Sequence, residues 1–382
     1  MVSEFDIVIL GGGLNGAALA CALARGPHSV AVVEPHPPGP ESEAWDSRIY
    51  AYSPGNVAWL QSLGGWNNTV RAQAVHQMQI FGDAGGRLTF DALDAGLPAL
   101  AWIAENNRVQ AGLWHAFLAG GRVRAVVARA EAVTWNENNC HVLHLAGGDA
   151  LGARLLVAAD GANSWLRRQA GIAVSAEDYR HVGVVANFET EKPHRGIAFQ
   201  WFRPDGVLAW LPLPGRRISM VWSTPPDHAA ELQALDGEQL ARKVAKAGGF
   251  GLGTMRCITP AASFPLVRRR ADVWTRAGLV LLGDAAHTVH PLAGQGVNLG
   301  FRDSRLLAEM LATGGNPGEA GRLASYAARR MEDVASMQFA TGSLKKLFAR
   351  EDGLTRSLRN LGMSLTGALD PVNQALARHA IL

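Results

Sequence analysis

A strand that runs directly into a glycine string leaves this chain few folds to choose from. Phe5-Asp6-Ile7-Val8-Ile9-Leu10 reads as a buried strand, and Gly11-Gly12-Gly13-Leu14-Asn15-Gly16 follows at once, opening an alanine-rich helix that extends to about Arg25. In a G-x-G-x-x-G loop placed this way, Gly11 makes the tight turn, Gly13 lets backbone approach a pyrophosphate, and Gly16 lets the helix pack on its strand. A second strand, Ser29 to Val33, ends in Glu34, where a ribose-binding acid belongs. In a chain with 43 glycines the string alone would say little. Its setting predicts a dinucleotide-binding βαβ unit in which Leu14 and Asn15 also border the ligand. The alternative is a glycine turn in a purely structural unit.

A second unit of the same kind lies far along the chain, where residues 278–300 read GLVLLGDAAHTVHPLAGQGVNLG. Its apolar run is of strand length and meets Gly283-Asp284, a sharp turn that presents a carboxylate. Pro291 and Gly294-Gln295-Gly296 follow, a glycine nest whose bare N–H groups can crowd a ligand at a helix start. Asn298, Leu299, Phe301, Leu306, Leu307, Met310 and Leu311 then keep helical spacing, with Asp303, Arg305 and Glu309 for the wet side.

Length and composition exclude several classes. A chain of 382 residues exceeds the ~250–300 at which a single core stops growing, so two lobes are expected. A formal charge of +3, with no Lys/Arg run interleaved with aromatics, gives no reason to expect nucleic acid. Cys21, Cys140 and Cys257 are too few and too scattered for a disulfide framework, a metal site or a C-x-x-C pair. No metal is expected, and a reducing compartment fits best. The amino terminus does not read as a signal peptide, and no apolar run reaches the ~18 residues of a membrane span.

Between the two glycine units the pattern changes twice. A loop rich in proline and polar residues delivers Asp46-Ser47-Arg48, and Arg48 reads equally as a phosphate or flavin contact and as a surface ion pair. From Val70 to Leu100 short strands appear, among them Met78–Phe81 and Arg87–Phe90. A helix resumes from Glu105 to Leu118, with Arg108 on a polar start that faces either a cofactor or solvent. Leu155 to Ala159 runs into Asp160-Gly161, returning the chain to the dinucleotide sheet. Beyond it, Val182–Phe188, Ile197–Phe202, Val207–Leu213 and Ile218–Ser223 read as consecutive antiparallel strands. Their Trp201, Phe202, Trp210 and Trp222 are either a pocket for a flat apolar ligand or ordinary core.

Together, Gly11-x-Gly13-x-x-Gly16, Asp160-Gly161 and Gly283-Asp284, extended through His287, Pro291, Gly294-Gln295-Gly296, Asn298 and Asp303, resemble the signature of the single-component FAD-dependent aromatic hydroxylases. Within that superfamily the chain is most similar to the ubiquinone-biosynthesis hydroxylases. The similarity runs through Asp46-Ser47-Arg48, Leu63-Gly64-x-Trp66, Gly206 to Leu213, Ser263-Phe264-Pro265-Leu266 and Arg359-Asn360, and covers nearly the whole length. Tyr50 and Tyr52 depart from the small or aliphatic residues usual near the arginine loop. The W-x-W-x-I-P motif of flavin-dependent halogenases is absent, since Val207 and Ala209 stand at its tryptophan positions.

The resemblance implies an α/β fold: a Rossmann-like FAD-binding domain (1–70, 101–180, 265–330) interleaved with a mainly antiparallel substrate domain (71–100, 181–264), then C-terminal helices (331–382). It assigns Glu34 to the FAD ribose, Arg48 to the flavin and pyrophosphate region, Asp160 to the nicotinamide mouth and Asp284 to the ribityl chain. It sets Pro291 and Gly294 to Gly296 against the isoalloxazine. Gly283, Asn298 and Arg108 complete the candidate cofactor contacts. Arg48, His290 and Pro291 are the candidate catalytic residues, with no base nominated. The implied reaction is ring hydroxylation through a flavin C4a-hydroperoxide, with NAD(P)H and oxygen, and NAD(P)H binds transiently because no second complete glycine fingerprint is present. The implied substrate is a prenylated phenol of ubiquinone formation. Its rivals are another aromatic or natural-product substrate, and a non-catalytic flavin-binding subunit of a biosynthetic complex. Basic and apolar residues interleaved after Ala335 suit peripheral contact with the inner face of the cytoplasmic membrane, or a helix packed on the flavin domain.

Overall fold

The computed structural model describes residues 2–40, 42–83, 85–136, 140–288 and 296–349, with side chains to residue 335. Its helices are α1 (Leu14–Leu23), α2 (Pro54–Leu63), α3 (Asn106–Ala119), α4 (Trp165–Gln169), α5 (Pro226–Ala234), α6 (Gly237–Ala247), α7 (Gly296–Leu311) and α8 (Ala320–Ala349). The expected α/β architecture is present, as one parallel-centred sheet and one mainly antiparallel sheet.

The first sheet is built on the Val2–Leu10 strand. It pairs in parallel with Val30–Val33 on one side and Ala150–Ala158 on the other, and these pair in turn with Val123–Val126 and Leu279–Leu281. Parallel strands need long crossovers, so both faces become covered and the strands read as unbroken apolar runs. Ile7 and Ile9 face the core under α1, α2, α3 and α7, while Val8 and Leu10 face the second core with Leu156, Trp274 and Leu299. The His141–Leu145 and Ala130–Thr134 strands extend this sheet in antiparallel pairing.

The second sheet runs, in spatial order, His287–Thr288, Ala262–Ala271, Val174–Thr190, Arg217–Thr224, Gly206–Leu213, Ile197–Arg203, Gln77–Phe81 and Arg87–Asp91. Its one parallel contact joins Gln77–Phe81 to Ile197–Arg203, which only a chain returning after a long excursion can make. Three shorter strands, Ile49–Tyr52, Ala101–Glu105 and Gln73–Val75, form a small sheet between the lobes.

Several sequence-level limits shift. Val174–Thr190 is a single strand that crosses the limit at 180, and Ala262–Ala271 crosses the limit at 264. The two pair with each other from Val174↔Ala271 to Val185↔Ala262, with a register shift between Asp178 and Val182; there polar residues mimic a boundary in a strand that continues. Segment 71–100 is divided as well, since Gln73–Val75 joins the small sheet and only the later strands join the large one. Helix α8 runs through the limit at 330. The basic and apolar side chains after Ala335 lie outside the described residues.

The tryptophan pocket is overturned for two of its members. Trp210 and Trp222 are each 1% exposed and form the core beneath α5 and α6 with Leu208, Met220 and Val244. The register Trp201↔Leu208↔Trp222 puts all three on that helix-covered face, since neighbours in paired strands point the same way. A Cβ on Gly248 would collide with the Trp210 ring, so the fit is tight. Trp210→Ala should therefore cost about 3–5 kcal/mol of stability, read as a lower urea midpoint. Unchanged stability in that variant would return Trp210 to the pocket.

Candidate active site

Register decides where the motifs meet. Leu10 is paired with Val33 and with Ala158, and Ala158 with Leu281, so four strands end level. The residues just past those ends are Gly11, Glu34, Asp160 and Gly283. All four turns therefore gather at the carboxyl edge of the sheet, where open α/β sheets bind ligands.

The first glycine loop is shaped by close backbone approach. A Cβ on Gly16 would collide with the Gly11 carbonyl, and one on Gly11 with the Ala159 carbonyl, while one on Gly13 would meet nothing within 4 Å. The open side of the loop is thus at Gly13. Helix α1 starts there with no side-chain cap and no acid in its first turn, which leaves its N–H groups and its positive dipole end for an anion. From behind, Gln110 Nε2 and Trp114 Nε1 both donate to the Gly12 carbonyl, at 2.9 and 2.8 Å. Glu34 receives the Gly12 N–H at 2.8 Å and the His36 N–H at 2.9 Å, and its carboxylate keeps lone pairs for ribose hydroxyls. Leu14 instead turns its side chain into the core, so only its backbone borders the loop.

Asn15 ties the first motif to the last. Its carboxamide lies between Gly283 and Gly300, where a Cβ on either glycine would strike it, and its Oδ1 is buried without a partner. Gly283 holds φ +57, a left-handed conformation suited to glycine. Its N–H donates to Asp303 Oδ2 at 2.9 Å, the same oxygen that His287 Nε2 meets at 2.7 Å. Burial alone would push the Asp303 carboxyl up, but His287 and Arg330 hold it below its ordinary range. His287 stacks on Trp274 with ring centroids 4.9 Å apart, which makes it a buried brace.

Asp284 behaves oppositely. Its surface opens outward, yet enough protein surrounds it that desolvation raises its carboxyl, with His287 and Arg269 opposing and Asp303 adding to the rise. Tyr50 senses the convergence. Burial and the Asp284 charge raise its hydroxyl, while Arg48 lowers it, so the distant Asp284 shares a neighbourhood with the arginine loop.

The Arg48 guanidinium is exposed and forms no ion pair among the described residues. Its loop is held firmly. Asp46 accepts the Arg48 N–H at 2.9 Å and donates its own N–H to Glu105, and Asn187 of the second sheet donates to the Asp46 carbonyl at 2.8 Å. Glu105 is fully buried and takes both Nε and Nη2 of Arg71 at 2.8 Å. A buried carboxylate needs such bidentate pairing. Arg108 donates to the Ser42 carbonyl at 2.6 Å, so it serves this loop.

Asp160 Oδ2 accepts the N–H groups of Trp165 and Leu166, capping α4, while Oδ1 is buried without a partner. Arg167 joins that turn to the Asp284 turn through Ala162 and Ala285 carbonyls. Asn298 spends its carboxamide on Ser53, Asn56 and Ala51, bracing α7 against the small sheet. Gly296 opens α7. His290, Pro291, Gly294 and Gln295 lie outside the described residues. Sequence reasoning gave no role to Gln110, Trp114, Asn187 or the Arg71–Glu105 pair. The i, i+4 spacing of Gln110 and Trp114 marks a shared helix face, but nothing local names the Gly12 carbonyl as their partner.

An uncapped helix start at Gly13, the adjoining carboxylate of Glu34 and the unpartnered Asp160 Oδ1 and Asn15 Oδ1 fit a bound FAD, at the carboxyl edge of a parallel sheet that stands beside an antiparallel one. The chain belongs to the FAD binding domain family, whose profile matches residues 4–339. It is 36% identical to 3-demethoxyubiquinol 3-hydroxylase of Escherichia coli K12, over 94% of this chain and 93% of the relative. It is 33% identical to ubiquinone hydroxylase UbiL of Rhodospirillum rubrum (98% and 89% covered) and 31% identical to human mitochondrial ubiquinone biosynthesis monooxygenase COQ6 (98% and 92%). Among solved structures, p-nitrophenol 4-monooxygenase PnpA of Pseudomonas putida DLL-E4 superposes with TM-score 0.82 at 18% identity, covering 100% of this chain and 99% of that one. The protein is an FAD-dependent aromatic-ring hydroxylase. No described helix is long and apolar enough to cross a membrane.

Because the folded state raises the Asp284 carboxyl, its ionisation costs stability as pH rises through the ordinary carboxylate range and beyond. Asp284→Asn should then raise the thermal midpoint of the FAD-free protein at neutral pH and lose that advantage in acid. The same variant should weaken FAD binding by about 1.5–3 kcal/mol, the worth of a hydrogen bond to a charged group. Scanning calorimetry across pH and FAD titration read the two effects separately.

Proposed function

We propose that this hydroxylase acts on the ring of a prenylated phenol on the route to ubiquinone. The supporting observation is the second sheet's face opposite α5 and α6, which turns toward the Asp46–Arg48 loop. Three rows cross it: Met78↔Ala198, Leu211↔Ser219↔Asn187; Ile80↔Gln200↔Ala209↔Val221↔Val185; and Phe202↔Val207↔Ser223↔Gly183↔Phe264. These rows carry no charged side chain, and in the next row of the same face, Leu213↔Arg217↔Glu189, the arginine is already paired with the glutamate at 3.0 Å. An aromatic acid calls for an arginine fork, whereas a neutral phenol with an apolar tail suits this surface. Relatives matched over nearly their whole length are named for ubiquinol and ubiquinone hydroxylation, which supports the same choice.

In this proposal FAD, when bound, supplies acceptance of hydride from NAD(P)H and activation of oxygen for transfer to the ring. The chain's residues do the rest. The N–H groups at the start of α1 would hold the pyrophosphate, Glu34 the ribose and Asp284 the ribityl hydroxyls, while Arg48, on a loop bonded to both lobes, would serve the flavin and pyrophosphate region. Asp160 borders the approach of the nicotinamide. The apolar sheet face orients the ring and keeps water from the reacting oxygen, because water there diverts oxygen to peroxide. Apolar substrate also gives the enzyme reason to visit the membrane surface or to work beside other enzymes of the route.

NAD(P)H oxidation should be slow without substrate and faster with a prenylated phenol, and hydrogen peroxide released per NAD(P)H should fall as hydroxylated product rises. Tight coupling on a small aromatic acid, and none on a prenylphenol, would move the substrate to the aromatic acids. No stimulation by any phenol would support a non-catalytic flavin subunit.

A further inference from the structure

Helix α8 lies outside every motif, yet one of its side chains grips the Asp284 turn from behind. Arg330 is buried, and its Nε donates to Asp303 Oδ1 at 2.5 Å. Nη2 donates to the Leu299 carbonyl in the first turns of α7 at 3.3 Å, and Nη1 to Asp333 one turn along α8. The other oxygen of Asp303 carries the Gly283 N–H and His287. One guanidinium therefore reaches both halves of the unit: the glycine turn through Asp303, and the start of α7 through Leu299.

We propose that Arg330 is a positioning residue for FAD, acting through Asp303 to fix the Gly283–Asp284 turn relative to the start of α7. This rests on the reading that the Asp284 turn faces FAD. Asp303 is completely buried, so its charge persists only while paired and hydrogen-bonded. With Arg330 present, Oδ2 stays a full-strength acceptor for the Gly283 N–H. Without it, Asp303 must take up a proton or rely on His287 alone, and the bond that orients Gly283 weakens. Gly283 has no side chain to hold its left-handed conformation, so that N–H bond is its main restraint from the helix side. The bond to Leu299 is lost in the same step, so α7, which carries both Leu299 and Asp303, loses both of its ties to Arg330 while the bond that joins it to the turn weakens.

FAD titration of the FAD-free full-length protein tests this, with thermal midpoints of the same FAD-free samples measured in parallel. Arg330→Met should raise the FAD Kd by about tenfold or more, as expected for losing charge-assisted bonds that orient a ligand-binding turn. Arg330→Lys should fall between, because an ammonium can pair with Asp303 but cannot also fork to Leu299 and Asp333. The double variant Asp303→Asn with Arg330→Met removes both charges together. It decides the matter if Arg330→Met alone does not fold, and its Kd should also rise. Tyr326→Phe removes another α8 contact, from the hydroxyl to the Leu281 carbonyl at 3.4 Å, without touching Asp303, and should leave the Kd unchanged. Folded Arg330 variants with Kd within about twofold of the parent would overturn the proposal, as would an equal rise in Tyr326→Phe; such changes of twofold are under the ~1.4 kcal/mol of a tenfold effect. An unchanged Kd in Asp284→Asn would instead overturn the reading beneath it.

Discussion

Parallel strands that stop at one level set the terms for everything else in this protein. Backbone pairing of Leu10 with Val33 and Ala158, and of Ala158 with Leu281, makes the next residue of each segment arrive at one edge. Within two residues of each strand end comes a glycine or an acid, and the extended pairing stops there. A slip of one residue would exchange the set Ile7 and Ile9 with the set Val8 and Leu10 between two differently shaped cores, so close packing on both faces enforces the register. The site is thus a consequence of core packing, although none of its polar groups belongs to the core.

Polar groups behind that edge are then disposed in two layers. Trp114, Asn298, Asp303 and the half-buried Gln110 bond backbone groups and fix loops from the inside, while His287 braces Asp303. Arg48 and Asp284 are exposed, and Asp160 Oδ1 is buried without a partner. Buried polar atoms are costly unless paired, and at this edge the bracing side chains are paired while Asp160 Oδ1 and Asn15 Oδ1 are not. Opposite shifts of two carboxyls close together express this contrast: Asp303, bonded on both oxygens, is held low, while Asp284, surrounded but unbonded, is raised.

Contact between the lobes runs through a few bonds at the arginine loop. Asn187 reaches from the second sheet to the Asp46 carbonyl, and Arg71 and Arg217 lie over Trp45, with guanidinium carbons 4.1 and 5.5 Å from its ring centroid. His287–Thr288 adds a short antiparallel pairing to Ala262–Ala271 on the far side. The second sheet and the small sheet between the lobes are therefore joined by backbone and side-chain bonds to the same loop that carries Arg48.

Local pattern was enough for the βαβ unit, the glycine turns, the antiparallel run from Val182 to Ser223 and the family signature, because strand length, glycine φ and helix period are properties of neighbouring residues. The family resemblance, carried by the spacing of those motifs, was borne out over nearly the whole chain. Only tertiary structure decided which face each strand turns to α5 and α6. Trp210 and Trp222 alternate just as pocket residues would, and it is the helices arriving later in the chain that make them core. The same holds for Leu14, Arg108 and Asn298, whose polar or apolar character is local but whose partners come from distant segments. Arg330 is the extreme case: on α8 it reads as one basic residue among several, and its meaning depends on an aspartate and a glycine that the fold alone brings within reach.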